Sequence, residues 1–379
     1  MKLAVIKERA ANETRVAVTP ETVKNLTDLG ISVTIEKNAG VTAGISDDDY
    51  KNAGGKIGTD VDKILSAADI VLKVQAPSTA LIAHMKEGTI LVGLLASTQD
   101  PALIKKYATS KISAFAMEYI PRITRAQNMD VLSSQSNLAG YKAVIDALAE
   151  FGRVVPMMMT AAGSIRPAKV LVLGAGVAGL QAIATAKRMG AIVSAFDVRS
   201  AAKEQVQSLG AAFIEVEAEK SEEGEVKGGY AKEMSEAYKR KQADLIHKTL
   251  KEQDIIICTA LIPGRPAPVL ITEKMVKDMK PGSIIVDLAT ASGGNCELSE
   301  QNKVVEKLGV KLIGYDNMPA RVPVDASRLY AKNLVNFLTP MVNKKLQKIK
   351  IDFEDQIIQS CLLTHDGRIV HPSLTKGTK

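Results

Sequence analysis

The sequence predicts an α/β protein made of two doubly wound, helix-covered parallel sheets with a cleft between them. Three observations lead there. Short apolar runs of strand character alternate with helical segments along most of the chain. One strand, glycine turn and helix stand together at residues 169–190. A polar stretch and a long helix at 119–151 interrupt the alternation and divide it into two halves.

In chain order, Leu3 to Ile6 reads as a strand. Pro20 to Leu29 reads as a helix opened by Thr19 as its cap, Pro20 and Glu21 in its first turn, and closed by Gly30. Strands follow at Ile31 to Glu36, Ile70 to Val74, Thr89 to Leu95 and Ile112 to Ala116. Helical segments lie between them at Ser46 to Asn52, Val61 to Ala67, Pro77 to Met85 and Pro101 to Thr109. Arg122 to Asp130 is polar and reads as loop. Ser133 to Phe151 has helical apolar spacing at Leu138, Tyr141, Ala143, Ile145 and Leu148 and reads as the bridge to a second domain.

That second domain carries the most informative stretch. The apolar run Lys169 to Leu173 is followed by Gly174-Ala175-Gly176-Val177-Ala178-Gly179 and an alanine-rich helix ending at Met189-Gly190. A further strand, Ala191 to Phe196, ends at Asp197, eighteen residues beyond the last glycine. Gly174 permits the turn, Gly176 lets backbone approach a pyrophosphate, and Gly179 lets helix and strand pack closely. The helix N-terminus offers N–H groups and a positive dipole end to phosphates. Asp197 at the end of the second strand suits the ribose hydroxyls of a dinucleotide and would repel a 2′-phosphate, which favours NAD(H) over NADP(H). Arg199 two residues later leaves that preference open. The domain is therefore Rossmann-like, and the first half is a second such domain without its own glycine fingerprint.

Beyond it, strands are predicted at Ala211 to Ile214, Asp254 to Cys258 and Ser283 to Asp287, with helices at Ala201 to Leu209 and Glu273 to Met279. Residues 215–230 are charged and glycine-bearing and cannot bury a face. They read as an exposed mobile loop, either a tolerated insertion or a lid tipped by Tyr230. Asp325 to Leu338 is helical, Asn343 to Lys350 is lysine-rich, and Asp366-Gly367 between two apolar runs marks a terminal hairpin. The expected domains are 1–133, completed by 325–379; a linking helix, 134–152; and the dinucleotide-binding domain, 153–324.

Composition narrows the function. The chain has 379 residues, 46% hydrophobic and 24% charged, enough for several cores. No apolar run approaches the roughly 18 residues that span a bilayer, and Glu8 and Arg9 come too early for a secretory segment, so a cytosolic protein is expected. Cys258, Cys296 and Cys361 stand far apart, and His84, His247, His365 and His371 form no ligand pair on one helix face, so no disulfide and no metal is expected. The net charge of +7 is spread along the chain and aromatics are only 4%, so no nucleic-acid partner is expected.

Taken together, these residues resemble the NAD(H)-binding component, domain I or the first segment of the alpha subunit, of proton-translocating NAD(P) transhydrogenase. Its most specific marker is the stretch from Pro121-Arg122-Ile123-Thr124-Arg125-Ala126-Gln127-Asn128-Met129-Asp130 through Ser133 to Tyr141. The resemblance implies that Arg122, Gln127, Asp130 and Ser133 form the loop that lies against the nicotinamide. It implies a cofactor-binding set of Gly174, Ala175, Gly176, Val177, Gly179, Asp197, Val198, Arg199, Tyr230, Ala260 and Leu261. Thr259 to Gly264 is similar to the family's segment beside the cofactor and reads equally well as a plain strand-end turn. The resemblance also implies NADP(H) on a partner domain, a membrane-spanning proton-translocating partner, a homodimer, and a cytoplasmic position, peripheral on the inner membrane through those partners.

The fold is also similar to that of alanine dehydrogenase. Arg15 and Lys73 match positions that hold the substrate in that family, and they read either as such or as structural ion-pair residues. The catalytic histidine of that family falls on Leu94 and its aspartate on Ala291, and no histidine occurs from residue 85 to 246. Reduction of an imine or ketone delivers a proton to nitrogen or oxygen and needs a positioned acid–base group. Hydride transfer between two nicotinamides runs from carbon to carbon and needs none.

Overall fold

Leu3 and Val5 pack into one apolar cluster and Ala4 and Ile6 into another, because successive strand residues point to opposite faces and helices cover both. The same two-sided burial recurs in the second half, where Val170 and Val172 enter one cluster and Leu171 and Leu173 the other. The computed structural model describes residues 1–95, 100–216, 225–226, 230–231, 235–262 and 265–375. The chain divides into two compact units, Met1–Gln135 with Ala320–Lys379, and Ser136–Pro319.

The first unit begins with β1 (Lys2–Val5), β2 (Ser32–Glu36), β3 (Lys56–Gly58), β4 (Ile70–Gln75), β5 (Ile90–Leu94) and β6 (Ser113–Ala116), all paired in parallel. The helix Pro20–Asp28 opens on Thr19, whose hydroxyl accepts from the Thr22 N–H while Thr22 caps back, a reciprocal box as the Thr19-Pro20 pair predicts. The segment read as loop before the long helix instead contains a 3-10 helix, Thr124–Met129, because Ala126 and Met129 bury on one side of it. The long helix itself runs Val131–Glu150, and the boundary between the units falls within it.

In the second unit, β7 (Met158–Thr160) and β8 (Gly163–Ile165) form a hairpin whose residues are all exposed. Then come β9 (Lys169–Leu173), β10 (Ile192–Phe196) and β11 (Ala212–Ile214). Of the predicted lid, residues 217–224 and 227–229 and the Tyr230 side chain lie outside the described residues. Its described backbone pairs β12 (Glu225–Val226) with β13 (Tyr230–Ala231). The helix Glu236–Leu250 was not expected; only Tyr238, Ile246 and Leu250 are buried along it, too sparse a stripe to read through its charges. β14 (Ile255–Cys258), β15 (Ile284–Asp287), β16 (Val304–Lys307) and β17 (Val310–Ile313) complete the sheet in the order β11-β10-β9-β14-β15-β17-β16, parallel except for the edge strand β16.

The helix Pro323–Leu338 then returns to the first unit, where Tyr330, Leu334, Phe337 and Leu338 bury in its core. It is followed by the short pair β18 (Val342–Asn343) and β19 (Lys348–Ile349), and by β20 (Leu362–His365) and β21 (Arg368–Ile369). Asp366 and Gly367 turn that last hairpin with φ of 45° and 78°, as Asp-Gly predicts. β20 adds antiparallel to β6, so this sheet too is mixed, in the order β21-β20-β6-β5-β4-β1-β2-β3.

Two buried ion pairs sit where β1 and β4 end. Lys73 Nζ is 2.8 Å from Glu8 and the Arg15 guanidinium 2.6 Å from Glu13, all four side chains at most 3% exposed. Burial raises Glu13, but the Arg15 hydrogen bonds and charge override it and bring its pKa down to about 2. For Glu8 burial outweighs Lys73, and its pKa is raised. Gln75 donates to Glu13 and Gln135 accepts from Arg15, so the cluster is closed within its own unit. This is the structural alternative for Arg15 and Lys73. Arg15→Ala leaves the Glu13 carboxylate buried without its cation and should cost about 3 kcal/mol or more, read as a lowered midpoint in denaturant unfolding; a loss below about 1 kcal/mol would mean the pair is not structural.

Candidate functional site

Gly174, at the end of β9, has φ 97°, and an added Cβ would stand 2.8 Å from Thr259 Oγ1. Gly179 is tighter still, since its Cβ would meet the Gly174 carbonyl oxygen at 1.8 Å. The first turn of the helix Val177–Arg188 therefore lies directly on the turn, a closer approach than the helix–strand packing expected of this glycine. A Cβ on Gly176 would meet nothing within 4 Å. Gly176 is also the N-cap of that helix; no side chain caps it, its first turn holds no acid, and Lys187 and Arg188 sit in its last turn. The positive end of the dipole thus faces open space at a residue with no side chain, which fits a dinucleotide pyrophosphate. Ala175 is buried and Val177 is exposed.

Asp197 follows β10, as expected. Its Oδ2 accepts from the Ala175 N–H at 2.7 Å and from Arg199 Nη2 at 2.7 Å, and its Oδ1 accepts from the Arg199 N–H and Nε, both at 2.9 Å. Ionised carboxylates offer about four acceptor positions, so this one is filled. Arg199 therefore covers the acid, a relation that spacing alone could not reveal. Val198 between them is half-buried.

The other bank of the site is the end of β14. The Thr259 N–H donates to Leu173 O at 2.8 Å, and its hydroxyl donates to Gly174 O at 2.8 Å. Ala260 is half-buried and Leu261 is 46% exposed, while Pro263 and Gly264 lie outside the described residues.

In the first unit the Arg122–Ser133 segment is held along its length. The Asn128 carbonyl accepts from the side-chain amides of Asn333 and Asn336, at 2.8 and 2.9 Å, and Arg125 makes a two-pronged pair with Asp355. Asp130 accepts from the N–H and hydroxyl of Ser133, so both residues form the N-terminal cap of the helix Val131–Glu150. Gln127, between the pinned residues, is exposed, as is Arg122. Sequence reasoning misses Asn333, Asn336 and Asp355, which lie some two hundred residues away and carry no motif; Arg125 lies inside the marker stretch, where nothing local gives it a role.

Each of the four histidines has a hydrogen-bond or ion-pair partner. His84 pairs with Asp62, His247 with Asp278, His365 with Ser113, and His371 with the Ser360 carbonyl. Leu94 ends β5, and Ala291 lies in the 3-10 helix Thr290–Ser292.

Residues 4–139 match the family described as "Alanine dehydrogenase/PNT, N-terminal domain", and residues 143–372 match "Alanine dehydrogenase/PNT, C-terminal domain". The chain is 55% identical, over 99% of its length and 99% of the relative's, to the first of the chains that make up the NAD(P) transhydrogenase alpha subunit of Rhodospirillum rubrum. The chain belongs to the NAD(P) transhydrogenase alpha-subunit family. A solved transhydrogenase from Sinorhizobium meliloti superposes on this member with a TM-score of 0.86 at 46% identity, covering 98% of this chain and 100% of that one. A solved L-alanine dehydrogenase gives 0.82 at 25% identity, covering 99% and 98%. The Rossmann-like fold of both halves is thus that of the transhydrogenase and alanine dehydrogenase group.

The two glycines give opposed expectations for this family member. Gly176→Ala should melt like the parent yet bind NADH at least tenfold more weakly, because its methyl enters the open space. Gly179→Ala should lower stability by about 2 kcal/mol or more, because its methyl collides with a carbonyl. Calorimetric titration and thermal unfolding separate the two.

Proposed function

We propose that this chain is the NAD(H)-binding component of an NAD(P) transhydrogenase, passing hydride between NAD(H) on its Ser136–Pro319 unit and NADP(H) on a partner domain. A membrane-spanning subunit translocates the coupled proton and holds this chain on the cytoplasmic face of the inner membrane; among the described residues, no helix is long and apolar enough to cross a membrane. The observation that carries the reading is the uncapped, acid-free helix N-terminus over Gly176 beside Asp197, in a chain so similar to a transhydrogenase alpha subunit.

Bound nicotinamides supply the two reacting carbons. Because hydride passes from carbon to carbon, this chain's residues have positions to hold and no proton to deliver. The helix N-terminus at Gly176 binds the pyrophosphate. Asp197 takes the adenosine ribose once Arg199 gives up part of its hold, and Tyr230 closes over the cofactor. Gln127 and Asp130 order the nicotinamide ring and carboxamide, and Arg122 and Ser133 steady that segment. An amino-acid oxidoreductase needs an acid–base group, and Leu94 and Ala291 stand where the resemblance puts that family's histidine and aspartate.

The test mixes NADPH, an NAD⁺ analogue whose reduced form absorbs at its own wavelength, and a soluble NADP(H)-binding partner domain. Rapid analogue reduction that needs both proteins is the expected result. Failure with a folded, loaded partner, followed by turnover with L-alanine, would replace this reading by the dehydrogenase one. In the same assay Gln127→Asn should slow hydride transfer far more than it weakens NADH binding, and equal losses would count against a positioning role.

The chain works as a homodimer. Support comes from the β7–β8 hairpin, where Met157 is 64% and Met159 80% exposed, Met158 and Ile165 are exposed opposite each other, and no charge occurs from Val154 to Ile165. A lone hairpin so apolar is poorly stable in water and is best covered by a second copy. Met158→Glu with Met159→Glu should sediment as a monomer that still binds NADH; an unchanged dimer would put the interface elsewhere.

A further inference from the structure

In the second unit the chain leaves β9 towards β10 and leaves β14 towards β15, so the C-terminal ends of β9 and β14 flank the point where strand order reverses. A dinucleotide lying across such a point has its pyrophosphate at the glycine turn and its adenosine on the β10 side with Asp197. Its other half falls on the β14 side, against Thr259, Ala260 and Leu261. What fixes that second bank is therefore a question about the reacting half of the cofactor.

The answer lies behind Ala260. Asn295 is fully buried. Its Oδ1 accepts from the Ala260 N–H at 3.1 Å, and its Nδ2 donates to the Ala260 carbonyl at 2.9 Å and to the Pro268 carbonyl at 2.8 Å. The amide can take only this orientation, because the flipped one would set an oxygen against two carbonyl oxygens. Both polar groups of Ala260 are thereby turned to Asn295, and Leu261 beside it is exposed.

Asn295 is itself held. Its N–H and that of Cys296 donate to Asp287 Oδ2, at 2.8 and 3.0 Å, while Asp287 Oδ1 accepts from Ala289. The Asn295 carbonyl accepts from the N–H groups of Leu270 and Ile271. Gly293 and Gly294, with φ of 103° and 85°, make the turn, and a Cβ on Gly294 would stand 3.0 Å from the Asp287 carboxylate. From the end of β15, through Asn295, to the Ala260 peptide there is a continuous chain of hydrogen bonds, buried at Asp287 and part-buried at Ala260, and Thr259 fastens its far end to Gly174.

We propose that Asn295 is a positioning residue for the nicotinamide half of the bound dinucleotide, acting through the Ala260 peptide. The proposal rests on the reading that this unit binds NAD(H). It predicts a split that a general structural role would not give. Adenosine and pyrophosphate are held by Asp197 and the glycine turn, so ADP, which lacks the second ribose and the nicotinamide, does not sense the β14 bank, whereas NADH does.

The experiment titrates the chain with NADH and with ADP in a calorimeter, for the parent and for Asn295→Ala. The expected result is a rise of about tenfold in the NADH Kd with the ADP Kd within about twofold of the parent. Parallel losses for both ligands, or no change in either, would overturn the proposal. Asn295→Ser keeps a hydroxyl for the Ala260 N–H and serves if the alanine variant does not fold; it should give the same split, reduced in size, and a parallel loss there overturns the proposal equally. Should the parent chain bind neither ligand, the NAD(H) reading itself fails.

Discussion

The contact on which the second unit depends is that between Gly179 and the Gly174 carbonyl. No residue with a Cβ can bring the first turn of the Val177–Arg188 helix so close to the end of β9. That approach aims the helix N-terminus at the ends of the strands instead of past them. The Ala175 N–H then reaches the Asp197 carboxylate, and the Thr259 hydroxyl reaches the Gly174 carbonyl. One steric allowance thus joins three neighbouring strands, β10, β9 and β14, at their C-terminal ends.

The Arg122–Ser133 segment reaches order by another route. It has no glycine turn and little core of its own, apart from Ala126, Met129 and Val131. Its shape comes from side chains that arrive from far along the chain, Asn333 and Asn336 on the Asn128 carbonyl and Asp355 on Arg125, and from the Asp130 cap. Holding the residues on either side of Gln127 while leaving Gln127 exposed lowers the entropy that the proposed contact with the nicotinamide would cost. Such preorganisation suits chemistry in which the protein only places two rings.

The first unit shows what becomes of polar groups that have no solvent. Glu8, Glu13, Arg15 and Lys73 are each paired, and Gln75 and Gln135 take up further donors and acceptors. A pair of this kind adds little net stability over an apolar substitute, yet either partner alone would be costly. The residues therefore stand or fall together, and the two basic side chains have carboxylate partners within their own unit.

Much of both units was legible because the signals are local. Apolar runs, the Thr19-Pro20 opening, the glycine turn with Asp197 behind it, and the Asp366-Gly367 hairpin each record a backbone preference or a burial period within a few residues. The helix Glu236–Leu250 escaped because its three buried residues are too widely spaced to outweigh its charge, and the hairpins β7–β8 and β16–β17 escaped because short strands carry no period. The tertiary structure alone decided that Arg199 covers Asp197, that Asn333 and Asn336 hold Asn128, that Asn295 fills both polar groups of Ala260, and that β20 joins β6 antiparallel. The physical reason is the same in each case. Sequence pattern states which groups must be buried or satisfied, and only the folded chain states which distant partner satisfies them.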